Sequence, residues 1–197
     1  MCPALTMADA SMDVAVFGGS FDPPHVGHVL ALSFLRGVAG FDRAVVVPVF
    51  AHAFDKELAP FEHRVRMCEI GFSHLHGVEI STMERLLGRP SYTLRTVREI
   101  ARQHPEWRLR LAIGADVLAD VHRWHAFDEL VELARPYVMG RRGVNCSGAP
   151  PPVLPEVSST EVRRLLRARG SESARAELER LVPRGVLTYI SKFQLYG

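Results

Sequence analysis

The sequence predicts a doubly wound α/β fold, a parallel sheet with helices on both faces, followed by helices alone. Three observations carry this. From about residue 13 to residue 141, short apolar or β-branched runs alternate with segments of helical apolar spacing, and such alternation means parallel strands joined by helical crossovers. The first apolar run opens directly into "GGSFDPPHVGH" and then into a helical pattern. In doubly wound sheets, ligands bind outside the carboxyl ends of the strands, where this stretch falls. After residue 141 the grammar changes: a Gly/Pro-rich stretch gives way to helical patterns.

In chain order, residues 13–18 ("DVAVFG") read as a buried strand and 27–40 as a helix ending in glycine. Residues 43–50 ("RAVVVPVF") read as a β-branched strand ended near Pro48. Residues 60–75 have Pro60 at N1 of a helix, and 78–82 form a strand. Residues 91–104 ("SYTLRTVREIARQH") read as a helix with Ser91 as N-cap and Pro105 just past its end. Strand 108–114, helix 124–134 and strand 136–141 complete the alternation. Residues 142–157 read as a loop, 158–170 as a capped helix ending in glycine, and two further helices are expected around 174–181 and 183–192.

Composition bounds the function classes. A length of 197 residues suits one domain, expected over 12–197 with residues 1–11 as a loose extension. Hydrophobic residues at 47% and charged residues at 23% are ordinary for a globular protein, and a net charge of +2 makes no case for nucleic acid as a partner. Lys56 and Lys192 are the only lysines, so bound phosphate would be met by arginine forks and backbone amides. Cys2, Cys68 and Cys146 include no CxxC, which argues against a disulfide framework or thiolate zinc site and fits a reducing cytoplasm. No apolar run reaches the ~18 residues of a membrane span. The opening residues lack a basic region before an apolar stretch, so no signal peptide is expected, and Met7 or Met12 are alternative starts.

The opening motif suits an anion. Gly18 and Gly19 let backbone approach a ligand closely. Pro23 and Pro24 stiffen the turn, and the helix that follows offers free amides and partial positive charge. His25 and His28, three apart, share one face of its first turn. Two imidazoles there suit a phosphate whose charge grows in a transition state. Plain surface histidines and an HxxH zinc pair are the alternatives. Neither GxxxxGK[ST] nor GxGxxG is present, so no P-loop or dinucleotide fingerprint explains the glycines. A second constellation, "VSSTEVRRLL", places Ser158, Ser159 or Thr160 as a cap with Arg163 one turn on. It reads either as a second phosphate cradle or as a plain capped helix. His122 and His125 flank Trp124 at metal-pair spacing, but solvated loop histidines are the favoured reading.

"GGSFDPPHVGH" followed by "SSTEVRR" resembles the signature pair of the nucleotidyltransferase superfamily that carries HxGH and ISxTxxR motifs. "RPSYTLRTVREI", "AIGADVLADVHRWHAFDELV" and "LVPRGVLTYISKFQLYG" are similar to the bacterial nicotinate-nucleotide adenylyltransferases, and the likeness runs from about Val14 onward. The resemblance implies a Rossmann-like nucleotidyltransferase fold with C-terminal helices. It implies transfer of the adenylyl group of ATP to nicotinate mononucleotide, giving deamido-NAD and pyrophosphate, with Mg²⁺ accompanying ATP. It also implies roles. His25 and His28 would bind the ATP phosphates and stabilise the transition state. Gly18, Gly19, Ser20 and Phe21 would line the nucleotide. Ser158, Thr160 and Arg163 would hold the β- and γ-phosphates. Asp116 would meet a ribose hydroxyl. Thr93 and Trp124 would form the nicotinate pocket, with Arg141 or Arg142 beside it. Met67 and Cys68 are expected in the core.

Two stretches depart from the family pattern. Where the family has a Pro-Pro-His-Lys type loop, this chain reads "PVFAHAFDKELAPFEHR", with His52 and Lys56 as candidates for the same work. The stretch from Gly143 to Val157 is short and proline-rich. An adenylyltransferase with another acceptor, nicotinamide mononucleotide or phosphopantetheine, is therefore the second hypothesis, and a nucleotide-binding regulator without turnover the third.

Overall fold

The computed structural model describes residues 11–51, 58–141 and 151–197. His52, Lys56, Arg142, Cys2 and Cys146 lie outside the described residues, as does most of the expected extension at 1–11. Six strands form one parallel sheet: β1 (Met12–Gly19), β2 (Arg43–Pro48), β3 (Val78–Ile80), β4 (Trp107–Gly114), β5 (Tyr137–Arg141) and β6 (Pro152–Leu154), in the order β3-β2-β1-β4-β5-β6. Val16 of β1 lies opposite Val45 of β2 on one side and Leu111 of β4 on the other. The chain therefore winds outward in both directions from β1 and β4, and the gap at their carboxyl ends is the switch point where a ligand belongs.

Alternation along the strands sorts the core. Ala15 and Phe17 of β1 face α1 (Val26–Gly37) and α2 (Phe61–Phe72), burying Ala31, Leu32, Leu35, Cys68 and Phe72. Val14 and Val16 face the other side with Leu109, Leu111 and Ile113 of β4, against Leu94, Val97 and Ile100 of α4 (Thr93–Gln103) and Leu130 of α5 (Phe127–Leu133). A third cluster joins Met67 to Val162, Leu165 and Leu166 of α6 (Ser159–Arg167), Leu178 of α7 (Glu172–Leu181) and Val186 and Ile190 of α8 (Arg184–Phe193). Met67 and Cys68 are in the core, as expected.

Several boundaries differ from the sequence reading. Pro60 is the N-cap of α2 rather than N1, because its ψ of 140° is extended and helical geometry starts at Phe61. Tyr92, not Ser91, caps α4: the Ser91 hydroxyl is engaged elsewhere, accepting the Ala51 N–H at 3.1 Å. The stretch 83–87 forms a short helix, α3 (Met83–Leu87), too brief for a periodic signal. Residues 115–123 form a 3₁₀ segment (Ala115–Arg123), so α5 begins after Trp124 rather than at it. The stretch read as loop contains the short edge strand β6, where a proline is tolerated.

Arg64 decides how the loops at the carboxyl edge are held. It lies on α2 among apolar positions and is 1% exposed. Its guanidinium donates at 2.8 Å to each of three backbone carbonyls: Ser20 after β1, Val49 after β2, and Ala59 before α2. Burial pulls its pKa below the usual arginine value, and the negative charge of Asp22 is the largest opposing influence. Arg64→Leu would leave buried carbonyls without a donor. We expect a loss of about 3–5 kcal/mol in chemical denaturation. A loss under about 1 kcal/mol would show that the three loops are held by other means.

Candidate active site

The site grows from the end of β1. After Gly19, Phe21 takes a left-handed backbone (φ 47°), and its ring turns inward, 1% exposed. A Cβ at Gly19 would meet the Phe21 ring at 3.0 Å, so the glycine lets the ring pack close against the strand end. Phe21 packs against Phe17, Phe72 and the His28 ring, with centroids 5.7, 6.1 and 4.9 Å away. The Phe21 side chain is thus a floor under His28 rather than a wall open to a nucleotide. Gly18, at the strand end, is exposed with open space where a Cβ would stand.

His25 is the N-cap of α1 and His28 its third helical residue. The His25 backbone N–H donates to His28 Nδ1 at 3.1 Å. This is the reciprocal arm of a capping box, made by an imidazole instead of a carboxylate. It fixes the neutral tautomer of His28 with its proton on Nε2, at the far side of the ring. The two imidazoles stack, 3.8 Å between centroids and 27° between planes. His25 is 5% exposed and His28 is half-buried. Between them Gly27 is tightly enclosed: a Cβ there would meet Val157 Cγ1 at 2.8 Å and the His25 ring at 3.1 Å.

The second constellation is bonded to the first. Ser158 is the N-cap of α6, and its Oγ accepts the Glu161 N–H at 3.2 Å. Ser159 Oγ donates to the Pro23 carbonyl at 3.0 Å. Arg163 Nη1 donates to the Asp22 carbonyl at 2.6 Å and lies 3.5 Å from Asp22 Oδ2, while Nη2 donates to Thr160 Oγ1 at 3.2 Å. His25, His28, Ser158, Thr160 and Arg163 are therefore brought to one place, with two helix N-termini converging there. Thr160 is exposed, and the Arg163 side chain retains 15% exposure.

Asp116 lies on the first turn of the 3₁₀ segment, at the end of β4 across the switch point from Gly18 and Gly19. It is exposed, and its carboxylate occupies the space where a Cβ on Gly114 would stand. The residues expected at the nicotinate lie on the segments that follow β3 and β4 and at the end of β5. Thr93 is the first residue of α4, and Trp124 follows the 3₁₀ segment, half-buried and edge-on to Phe127 at 6.1 Å. Tyr92 stacks on His125 at 4.3 Å, which fastens the start of α4 to the Trp124 turn. His125 is exposed in the turn after the 3₁₀ segment, in keeping with a solvated loop histidine, and stacks on Tyr92 from there. Arg141 ends β5, and its side chain lies outside what the structure describes.

Three buried polar residues of this region escaped the sequence reading. Arg64 stands at a core-facing position between Phe61 and Met67, a mismatch with apolar helical spacing that was a usable signal. Glu84 of α3 accepts the Phe50 N–H at 2.8 Å, and burial pushes its carboxyl above the usual range. Asp22, 1% exposed, had been read only as part of a turn. Neither of the latter two carries a pattern in sequence.

The fold and the two joined signatures define a nucleotidyl-transferring class of α/β protein. The cytidylyltransferase-like family model matches residues 16–165. The chain is 42% identical over 188 residues to the probable nicotinate-nucleotide adenylyltransferase of Anaeromyxobacter dehalogenans, covering 93% of this chain and 96% of that one. It is 36% identical to the protein of that name in Myxococcus xanthus, over 95% and 96% of the two chains. The fold matches Plasmodium falciparum nicotinic acid mononucleotide adenylyltransferase complexed with NaAD, at a TM-score of 0.73 and 18% identity, over 94% of this chain and 97% of that one. The chain belongs to the cytidylyltransferase-like family and, within it, to the nicotinate-nucleotide adenylyltransferases.

Gly27→Ala tests the packing of the site. The added methyl meets Val157 and the His25 ring, and about 1–3 kcal/mol of stability should be lost together with His25 placement. Thermal unfolding and activity matching the unmodified protein would show that the neighbours yield freely.

Proposed function

We propose that the protein transfers the adenylyl group of ATP to the 5′-phosphate of nicotinate mononucleotide, releasing pyrophosphate. The observation that carries this is the junction of the two signatures. Arg163 and Ser159 are bonded to the Asp22–Pro23 backbone that leads into His25 and His28. The names of the relatives support the acceptor.

Each group has a physical task. The acceptor phosphate oxygen forms a bond to the α-phosphorus of ATP, and the bond from that phosphorus to the bridging oxygen breaks, its electron pair leaving with pyrophosphate. The nucleophile is already an anion, so no base need activate it. The task of the protein is alignment and charge stabilisation. His28 presents Nε2–H, oriented by the His25 N–H behind it, as a donor to charge growing on the α-phosphate. The positive end of α1 acts in the same sense. Arg163, Thr160 and the N-terminus of α6 take the β- and γ-phosphates, with Ser158 holding that terminus by its cap. The backbone at Gly18, Gly19 and Ser20 lets the nucleotide lie against the sheet edge. Asp116 accepts from a ribose hydroxyl. Thr93, Trp124 and Arg141 take the nicotinate nucleotide, the indole stacking on the pyridine ring.

Magnesium enters with ATP in this reading. Among the described residues no group of three or more His, Cys, Asp or Glu could hold a metal ion. Among the described residues no helix is long and apolar enough to cross a membrane, and a cytoplasmic location remains part of the proposal.

Pyrophosphate release from MgATP tests the function, with nicotinate mononucleotide, nicotinamide mononucleotide and phosphopantetheine as parallel acceptors. Preference for the nicotinate form is expected. Release with phosphopantetheine alone would overturn the acceptor, and ATP binding with release from none would favour a regulator. His28→Ala should lower kcat/KM by about 2–4 kcal/mol of transition-state stabilisation. Near-normal turnover would remove His28 from the mechanism. Trp124→Ala should raise KM for the pyridine nucleotide and leave KM for ATP unchanged. Equal effects on both would place Trp124 outside the pocket.

A further inference from the structure

The segment after α8 reaches back to the phosphate-binding end of the molecule. Tyr196 Oη donates to Asp22 Oδ1 at 2.7 Å. The same oxygen accepts the Ala59 N–H at 3.2 Å. Asp22 is 1% exposed, so its carboxylate draws its stabilisation from these partners and from Arg163 and Arg64 rather than from water. Two donors on Oδ1 fix the rotation of the carboxylate and hence where Oδ2 points. Oδ2 faces Arg163 Nη1 at 3.5 Å, and the Asp22 carbonyl takes the same nitrogen at 2.6 Å.

Tyr196 is held there against its own backbone preference. Its φ is 64°, and Gln194 two residues before has φ 51°. Bulky residues adopt left-handed backbone only when their surroundings hold them in it. The ring packs beside the apolar cluster of α6, α7 and α8. Burial and the Asp22 charge keep the Tyr196 hydroxyl protonated, hence a donor, far above the ordinary tyrosine range.

We propose that Tyr196 is a positioning residue for ATP binding: through Asp22 it sets the direction of the Arg163 guanidinium that meets the phosphates. The proposal rests on the adenylyl-transfer reading only in taking Arg163 as a phosphate contact. Without the hydroxyl, Asp22 Oδ1 keeps one donor in a buried place. The carboxylate then turns toward Arg163, the nearest positive group able to compensate it. A guanidinium engaged more closely by Asp22 has fewer N–H groups directed at phosphate.

Tyr196→Phe keeps the ring and removes the donor. Affinity is measured calorimetrically with α,β-methylene-ATP and Mg²⁺, with no acceptor present, alongside thermal unfolding. Tyr196→Phe should weaken binding roughly three- to tenfold, the loss expected for one hydrogen bond behind a binding group. Tyr189→Phe removes a hydroxyl of α8 that bonds His63 at 2.9 Å rather than Asp22, and it should leave the affinity unchanged. In the background of Arg163→Lys the effect of Tyr196→Phe should shrink, because the two act in series. An affinity for Tyr196→Phe within about twofold of the unmodified protein, even with a lowered Tm, would overturn the proposal. So would an effect that stays full in the Arg163→Lys background. Unmodified protein that binds the analogue but transfers nothing to nicotinate mononucleotide would overturn the function proposed above and leave this inference standing. Failure to bind the analogue would overturn both.

Discussion

A guanidinium withdrawn from water at the carboxyl edge of the sheet is the constraint from which the site follows. Arg64 has its donors committed to the Ser20, Val49 and Ala59 carbonyls. Those carbonyls belong to the segments after β1, after β2 and before α2. A buried cation is expensive unless its hydrogen bonds are made, and three backbone acceptors with the nearby Asp22 charge meet that demand. The consequence is geometric. Segments that would otherwise move separately share one rigid centre, and the turn carrying Phe21 and Asp22 leaves β1 along a fixed path.

From that path the chemistry is assembled by close packing and reciprocal hydrogen bonds. Phe21 turns inward over Gly19 and supports His28 from below. The His25 N–H orients His28 from behind. Gly27 lets His25 and Val157 approach where any side chain would part them. Ser159 and Arg163 then tie α6 to the backbone at Asp22 and Pro23. The two signatures lie far apart in sequence, Asp22 and Arg163 being 141 residues apart. They are nonetheless one hydrogen-bonded unit. Such preorganisation suits a reaction whose nucleophile is already charged and whose barrier lies in alignment and charge.

Much of this was legible in the sequence. Strand–helix alternation gave the parallel sheet, and the strand–turn–helix at residues 13–40 marked the candidate site, because apolar period and Gly/Pro punctuation report local structure directly. The shorter elements were hidden for the same reason. A five-residue helix and a three-residue strand are too brief to show a period. Residues that act through long-range polar contacts left weaker marks. Arg64 betrayed itself by occupying a core-facing position of α2, whereas Glu84 and Tyr196 look like ordinary surface residues until the fold buries them. Phe21 was read from the motif as lining the nucleotide, and only the fold shows that its ring lies in the core. Thr93 and Trp124 were singled out from the sequence, but the Tyr92–His125 stack that joins their segments could not be inferred from spacing.

The central claim is that a prealigned site drives one direct displacement at the α-phosphorus. The most direct measurement is stereochemical. The protein is given the Sp isomer of adenosine 5′-O-(1-thiotriphosphate) with nicotinate mononucleotide, and the configuration at phosphorus in the dinucleotide product is determined by phosphorus NMR. A single in-line attack predicts inversion. Retention would mean two displacements through a covalent enzyme intermediate, and would contradict an account in which these residues only align substrates and stabilise charge.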